Sequence, residues 1–89
     1  MSEMYLQPIY DLRNSFYKKA KVIFDNGKTS LYSYETKIIE LKGRELVYMC
    51  DEYLLSQTTL RHLKEFLKQF YKHQEYTKKD ILKEFKKIN

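Results

Sequence analysis

Apolar and polar positions change period once along this chain. Residues 16–24 alternate and are rich in Phe, Tyr, Val and Ile, which predicts a half-buried strand. Asp25-Asn26-Gly27-Lys28 follows, and Asn-Gly supplies the two positive φ angles of a type I′ hairpin turn. A second strand is predicted over residues 29–41, a tight turn at Lys42-Gly43, and a third strand over residues 44–51. Pro8 lacks a ladder donor, so residues 4–7 add at most a fourth, edge strand. Beyond Gly43 there is no Gly or Pro. Leu60, Leu63, Phe66, Leu67, Phe70 and Tyr71 then recur at three- and four-residue spacing, the period of an amphipathic helix. This predicts a first helix over residues 56–73, with Ser56 or Thr58 as N-cap. Thr77 and Asp80 have the spacing of a capping box and open a second helix over residues 77–88, whose apolar stripe is Ile81, Leu82, Phe85 and Ile88. The expected fold is α+β. A three-stranded antiparallel meander (four with the edge strand), within residues 10–55, is followed by two amphipathic helices packed on one face, in a single domain of residues 1–89.

Two-residue loops fix strand register. With Asn26-Gly27 as the first loop, Lys19 opposes Tyr34, Lys21 opposes Tyr32 and Tyr17 opposes Thr36. With Lys42-Gly43 as the second, Ile38 opposes Val47 and Thr36 opposes Met49. One sheet face then carries Tyr17, Lys19, Lys21, Tyr32, Tyr34, Ile38, Val47 and Met49. The other carries Phe16, Ala20, Val22, Phe24, Leu31, Ile39, Leu41, Leu46, Tyr48 and Cys50, with Lys18 opposite Glu35. The second face is the more apolar and is assigned to the helices. The first interleaves aromatic rings with cations, an arrangement that suits single-stranded nucleic acid: rings stack on bases while ammonium groups hold phosphates. Such residues also cover ordinary half-exposed sheets. Ile38, Val47 and Met49 on that face favour a homodimer that buries them.

Length sets the scale. Eighty-nine residues, 43% hydrophobic and 33% charged, make one small globular domain rather than a disordered chain. No apolar run approaches the length of a membrane span, and no secretory signal opens the sequence, so a cytoplasmic location and no membrane partner are expected. One cysteine, Cys50, excludes an internal disulfide.

Charge divides the chain. Residues 1–55 carry eight basic and eight acidic side chains, whereas residues 56–89 carry nine and four, so the net charge of +5 arises entirely in the C-terminal third. A one-sided cationic surface attracts polyanions, although lysines also simply solvate helix faces. The basic residues are 14 Lys and three Arg. Lysine meets phosphate as a point charge and reads base edges poorly, so any nucleic acid is expected to bind with little sequence preference.

No pattern names a reaction, and neither an enzyme nor a cofactor is expected. His62 and His73 lie 11 residues apart, about 16 Å along a helix, too far to share a metal ion, and both are expected on solvated helix faces. Ser15 and Cys50 lack the context that activates a nucleophile. Glu35-Thr36-Lys37, with Asp25, Asp51 and Glu52, gives a weak Mg²⁺-nuclease pattern that is common by chance. The two helices resemble a helix-turn-helix in spacing, but the second offers lysines and no Arg, Asn or Gln for base edges.

Two stretches carry a family resemblance. Tyr10-Asp11-Leu12-Arg13-Asn14-Ser15-Phe16-Tyr17-Lys18-Lys19-Ala20 resembles a recurrent Tyr-Asp-x-Arg-x-Ser-Phe-Tyr-x-Lys-Ala element. Thr58-Thr59-Leu60-Arg61-His62-Leu63-Lys64-Glu65-Phe66-Leu67-Lys68-Gln69 resembles its C-terminal partner. Together, over roughly residues 5–70, they resemble a family of small uncharacterised proteins from bacteriophages and mobile elements of gut and Gram-positive bacteria. The resemblance implies a phage accessory role in the bacterial host cell, through nucleic acid or by inhibiting a host defence protein. The combined expectation is a non-enzymatic binder of nucleic acid. Its contacts would be Arg13, Tyr17, Lys19, Lys21, Tyr32 and Tyr34 on the sheet and Arg61, Lys64 and Lys68 on the first helix. The alternative is a protein-interaction module that inhibits a host protein.

Overall fold

The computed structural model describes residues 2–9 and 19–86. It is α+β: one antiparallel sheet of five strands, then two helices. The strands are β1 (Ser2–Tyr5), β2 (Ala20–Asp25), β3 (Lys28–Ser33), β4 (Thr36–Lys42) and β5 (Glu45–Met49), each paired with the next in sequence order. A single 3-10 turn, Glu52–Leu54, leads into α1 (Gln57–Phe70), and α2 is Lys78–Glu84.

The Asn26-Gly27 turn forms as the sequence dictates. Asn26 and Gly27 both have positive φ, 51° and 78°, and Lys21 pairs with Tyr32 and Ala20 with Ser33. The expected second strand does not form as one piece. It breaks at Tyr34-Glu35, a further two-residue turn between paired Ser33 and Thr36. Thirteen extended residues would span about 43 Å, longer than the 32 Å maximum extent of the molecule. The next loop is also displaced by one residue. Lys42 pairs with Glu45, so the turn is Gly43-Arg44, with only Gly43 in the left-handed region, the requirement of a type II′ turn. The meander therefore has five strands, not three or four.

Two bulges reassign the faces. Tyr32 pairs with Lys37 but Leu31 with Ile39, leaving Ile38 as the extra residue. Leu41 pairs with Leu46 but Glu40 with Tyr48, leaving Val47 extra. The expected pairs Ile38–Val47 and Thr36–Met49 do not occur. Met49 instead faces Ile39, and both Ile38 and Met49 join the core. Tyr48 moves to the opposite face, beside Glu40. A bulge slips the register by one, and one step turns every following side chain over.

The inner face keeps the expected Val22, Leu31, Ile39 and Leu41 and gains Met49, while Tyr48 leaves it. Val22, Leu31, Ile39, Leu41 and Met49 from the sheet meet Leu60, Leu63, Phe66 and Leu67 of α1 and Ile81 and Phe85 at α2, with Leu6 entering from the N-terminal segment. Ser56 caps α1, its hydroxyl accepting from the Thr59 N–H at 3.2 Å. Thr77 and Asp80 form a reciprocal capping box at α2, each bond 3.1 Å. Both helices end sooner than their periodicity suggests. The N–H groups of Tyr71 and Lys72 both turn back to the Leu67 carbonyl, closing α1 at Phe70. Phe85 leaves helical geometry while staying in the core, closing α2 at Glu84.

Candidate functional site

Strand pairing sets the outer sheet face in rows. One row reads Tyr5, Lys21, Tyr32, Lys37 across β1 to β4. The next reads Glu3, Ile23, Ser30, Glu40, Tyr48 across all five strands. The last reads Asp25, Lys28, Lys42, Glu45. Tyrosines and lysines do alternate here, and the Lys37 ammonium lies 5.2 Å from the centre of the Tyr48 ring. The charges nevertheless cancel: Lys21, Lys28, Lys37 and Lys42 stand against Glu3, Asp25, Glu40 and Glu45. Lys37 already bonds Glu40 at 2.5 Å, and Lys21 lies 3.9 Å from Glu35. This face is aromatic and neutral.

The helical layer differs. On α1 the buried arc is centred on Leu63 and Phe66, which turns Arg61 and Lys68 directly away from the sheet and Lys64 close to them. Residues 57–86 carry eight basic side chains and four acidic ones. Three of the four acids are engaged, one of them by a lysine of the same layer. Glu65 is buried and accepts from the Ile9 N–H at 3.1 Å and from the Gln69 amide at 2.5 Å. Glu75 bonds Lys68, which holds its carboxyl below the usual range. Asp80 is held low by the capping bonds with Thr77. The molecule's positive charge is therefore displayed on the side opposite the outer sheet face.

A third feature sits at one end of the sheet. Ser33 Oγ lies 2.9 Å from His62 Nδ1 and 3.0 Å from Thr59 Oγ1, a polar cluster closed inside the core. His62, expected on a solvated helix face, is 0% exposed. The Tyr34 ring lies 5.9 Å from the His62 ring and remains 52% exposed. Tyr34 and Glu35 have φ of 50° and 68° although neither is Gly or Asn.

The nine sequence-predicted contact residues thus do not form one surface. Lys21 and Tyr32 share the outer sheet face. Lys19 and Tyr34 meet at the sheet end, where the Tyr34 N–H donates to the Lys19 carbonyl at 2.9 Å, and Tyr34 leans toward α1 rather than standing beside Tyr32. Arg61, Lys64 and Lys68 lie on the far side of the helical layer. Arg13 and Tyr17 lie outside the described residues. Sequence reasoning did not single out Tyr5, Lys37 or Tyr48 as outer-face partners, because their placement depends on β1 pairing and on the two bulges.

Chemical alternatives find little here. Glu35 is an exposed turn residue 3.9 Å from the Lys21 ammonium, and Lys18, its expected partner, lies outside the described residues. Among the described residues no group of three His, Cys, Asp or Glu side chains is arranged to hold a metal ion. No helix among them is long and apolar enough to cross a membrane. Cys50 is buried, and burial pushes its thiol upward, away from the reactive thiolate.

Residues 4–83 match a family of unknown function (DUF8033). The chain belongs to that family. The match runs through most of α2, so both the sheet and the helical layer lie within it. No curated protein and no solved structure gives a significant match.

Proposed function

We propose that the protein is a non-enzymatic binder of nucleic acid, without sequence preference, and that its phosphate contacts come from Arg61, Lys64, Lys68 and the neighbouring lysines of the helical layer. The single observation behind this reading is the segregation of charge: the sheet face is neutral, while the helical layer carries eight cations against four acids, with Lys68 paired to Glu75. A layer of seven lysines and one arginine neutralises backbone phosphates and reads few base edges. An accessory role in the cytoplasm of a bacterial host is part of this proposal, and the resemblance to phage and mobile-element proteins is its support. The test is a salt titration with single- and double-stranded DNA and RNA. Neutralising about four phosphates gives a log–log slope of roughly −3 to −4, about a hundredfold loss of affinity between ~50 and 200 mM salt. Absence of binding at low salt to every one of these polymers rejects the reading.

A second reading, recognition of a host protein, has its own support at Tyr34-Glu35. Left-handed backbone at two residues that disfavour it is retained where the side chains themselves are needed, and Tyr34 offers a half-exposed ring of the kind that anchors protein interfaces. This reading expects one host protein to co-purify after nuclease treatment and to be lost in Tyr34→Ala.

A further inference from the structure

The molecule has two broad surfaces, and their charges sort their partners. The helical layer repels a second helical layer. The outer sheet face does not: its four cations and four carboxylates cancel, and Ile23, Tyr32 and Tyr48, all half-buried, run across it to β5, with the Lys37–Glu40 pair between Tyr32 and Tyr48 and Tyr5 at 46% exposure toward the β1 edge. No described helix packs on it, because both helices lie on the opposite side. An antiparallel sheet tolerates one wet face; on this one three tyrosines and one isoleucine stand among eight charges whose signs balance.

We infer that the outer sheet face is a self-association surface, and that its occupant is the same face of a second copy. Its size fits. Five strands about 4.8 Å apart and about 20 Å long present roughly 500 Å² in plan per copy, hence about 1,000 Å² or more in total once side-chain relief is added, near the lower bound for a specific interface. Aromatic residues set among charges that balance one another suit a contact between two copies of this face, whereas a nucleic-acid surface carries a clear positive excess. The burial of Ile38 and Met49 inside each monomer removes the apolar residues first expected to drive association, so the tyrosine band is what two copies would exclude from water. Such a dimer turns its two cationic helical layers outward, in opposite directions.

The experiment is light scattering with size-exclusion chromatography on nuclease-treated full-length chain, from about 1 to 200 µM, the range suited to a small interface. The expected mass rises toward twice 10.9 kDa. Tyr32→Glu and Tyr5→Lys should each weaken the dimer at least tenfold. Tyr5 lies at the exposed edge, so its variant keeps its fold and cooperative melt even where Tyr32→Glu does not. Tyr53, 82% exposed but outside the sheet, is the control: Tyr53→Lys leaves the dimer intact. A single 10.9 kDa species at the highest concentration overturns the inference. So does a dimer that survives Tyr5→Lys, or one that Tyr53→Lys dissolves.

Discussion

Two turns of this protein have nearly the same backbone and very different chemistry. Asn26-Gly27 and Tyr34-Glu35 each link paired strands through two residues of positive φ, at 51° and 78° in one and 50° and 68° in the other. The first uses residues that reach this region at little cost. The second forces two ordinary side chains into it, at about 1–2 kcal/mol each. What offsets that cost lies next to the second turn alone. Ser33, which precedes it, is tied to His62 and Thr59 of α1, and the Tyr34 ring leans against His62. The first turn is held by its own sequence, the second by the helix packed against it.

The largest test of that contrast removes the support. His62→Ala deletes a fully buried ring and leaves the Ser33 hydroxyl short of a partner, with an expected loss of about 3 kcal/mol, read from the denaturant midpoint at constant slope. The second turn should loosen before the first, giving faster amide exchange at Tyr34 than at Lys28. Equal exchange at both would break the comparison.

Gly27→Ala tests the relaxed turn. A Cβ there meets nothing within 4 Å, so the loss comes only from the left-handed backbone, about 1–2 kcal/mol. A loss near zero would mean that this turn, too, is held from outside. Exchanging the chemistry sharpens the point. Tyr34→Asn with Glu35→Gly relieves strain but gives up the ring contact, for a net gain of about 1 kcal/mol in thermal or chemical denaturation. If Tyr34 anchors a partner, the same variant gains stability while losing capture.

The smallest effects lie in α2, away from both turns. Thr77→Ala removes half of the capping box and should cost about 1 kcal/mol, seen in the melting temperature. Tyr76 supplies a pH marker. It is buried, and its hydroxyl meets no hydrogen-bond partner among the described residues. Burial, with a smaller push from Glu84, raises it from about 10 to about 12. The fold favours the protonated phenol, so this contribution is complete below pH 10 and is lost as pH rises toward 12. Tyr76→Phe should flatten that alkaline limb and stabilise the protein by about 1 kcal/mol at neutral pH. An unchanged limb would assign it to Tyr71, which burial and Glu84 also raise.

Local chemistry was sufficient wherever a residue's own preference decided the backbone. Asn26-Gly27, the Ser56 and Thr77 caps, the helical period of α1 and the apolar inner face of Val22, Leu31, Ile39 and Leu41 were all legible in the residues themselves. So was the charge asymmetry, since net charge is additive along a chain. Tertiary packing decided the rest. The Tyr34-Glu35 turn carries no turn signal, because its geometry is imposed by strand pairing and by α1. The bulges at Ile38 and Val47 depend on how four strands accommodate one core, and they alone moved Met49 inward and Tyr48 outward. The candidate contacts followed the same rule: their residue types came from the sequence, but their separation onto opposite sides came from the two-layer fold. Propensity acts over a few bonds, whereas register and facing are set by which distant surfaces exclude water together.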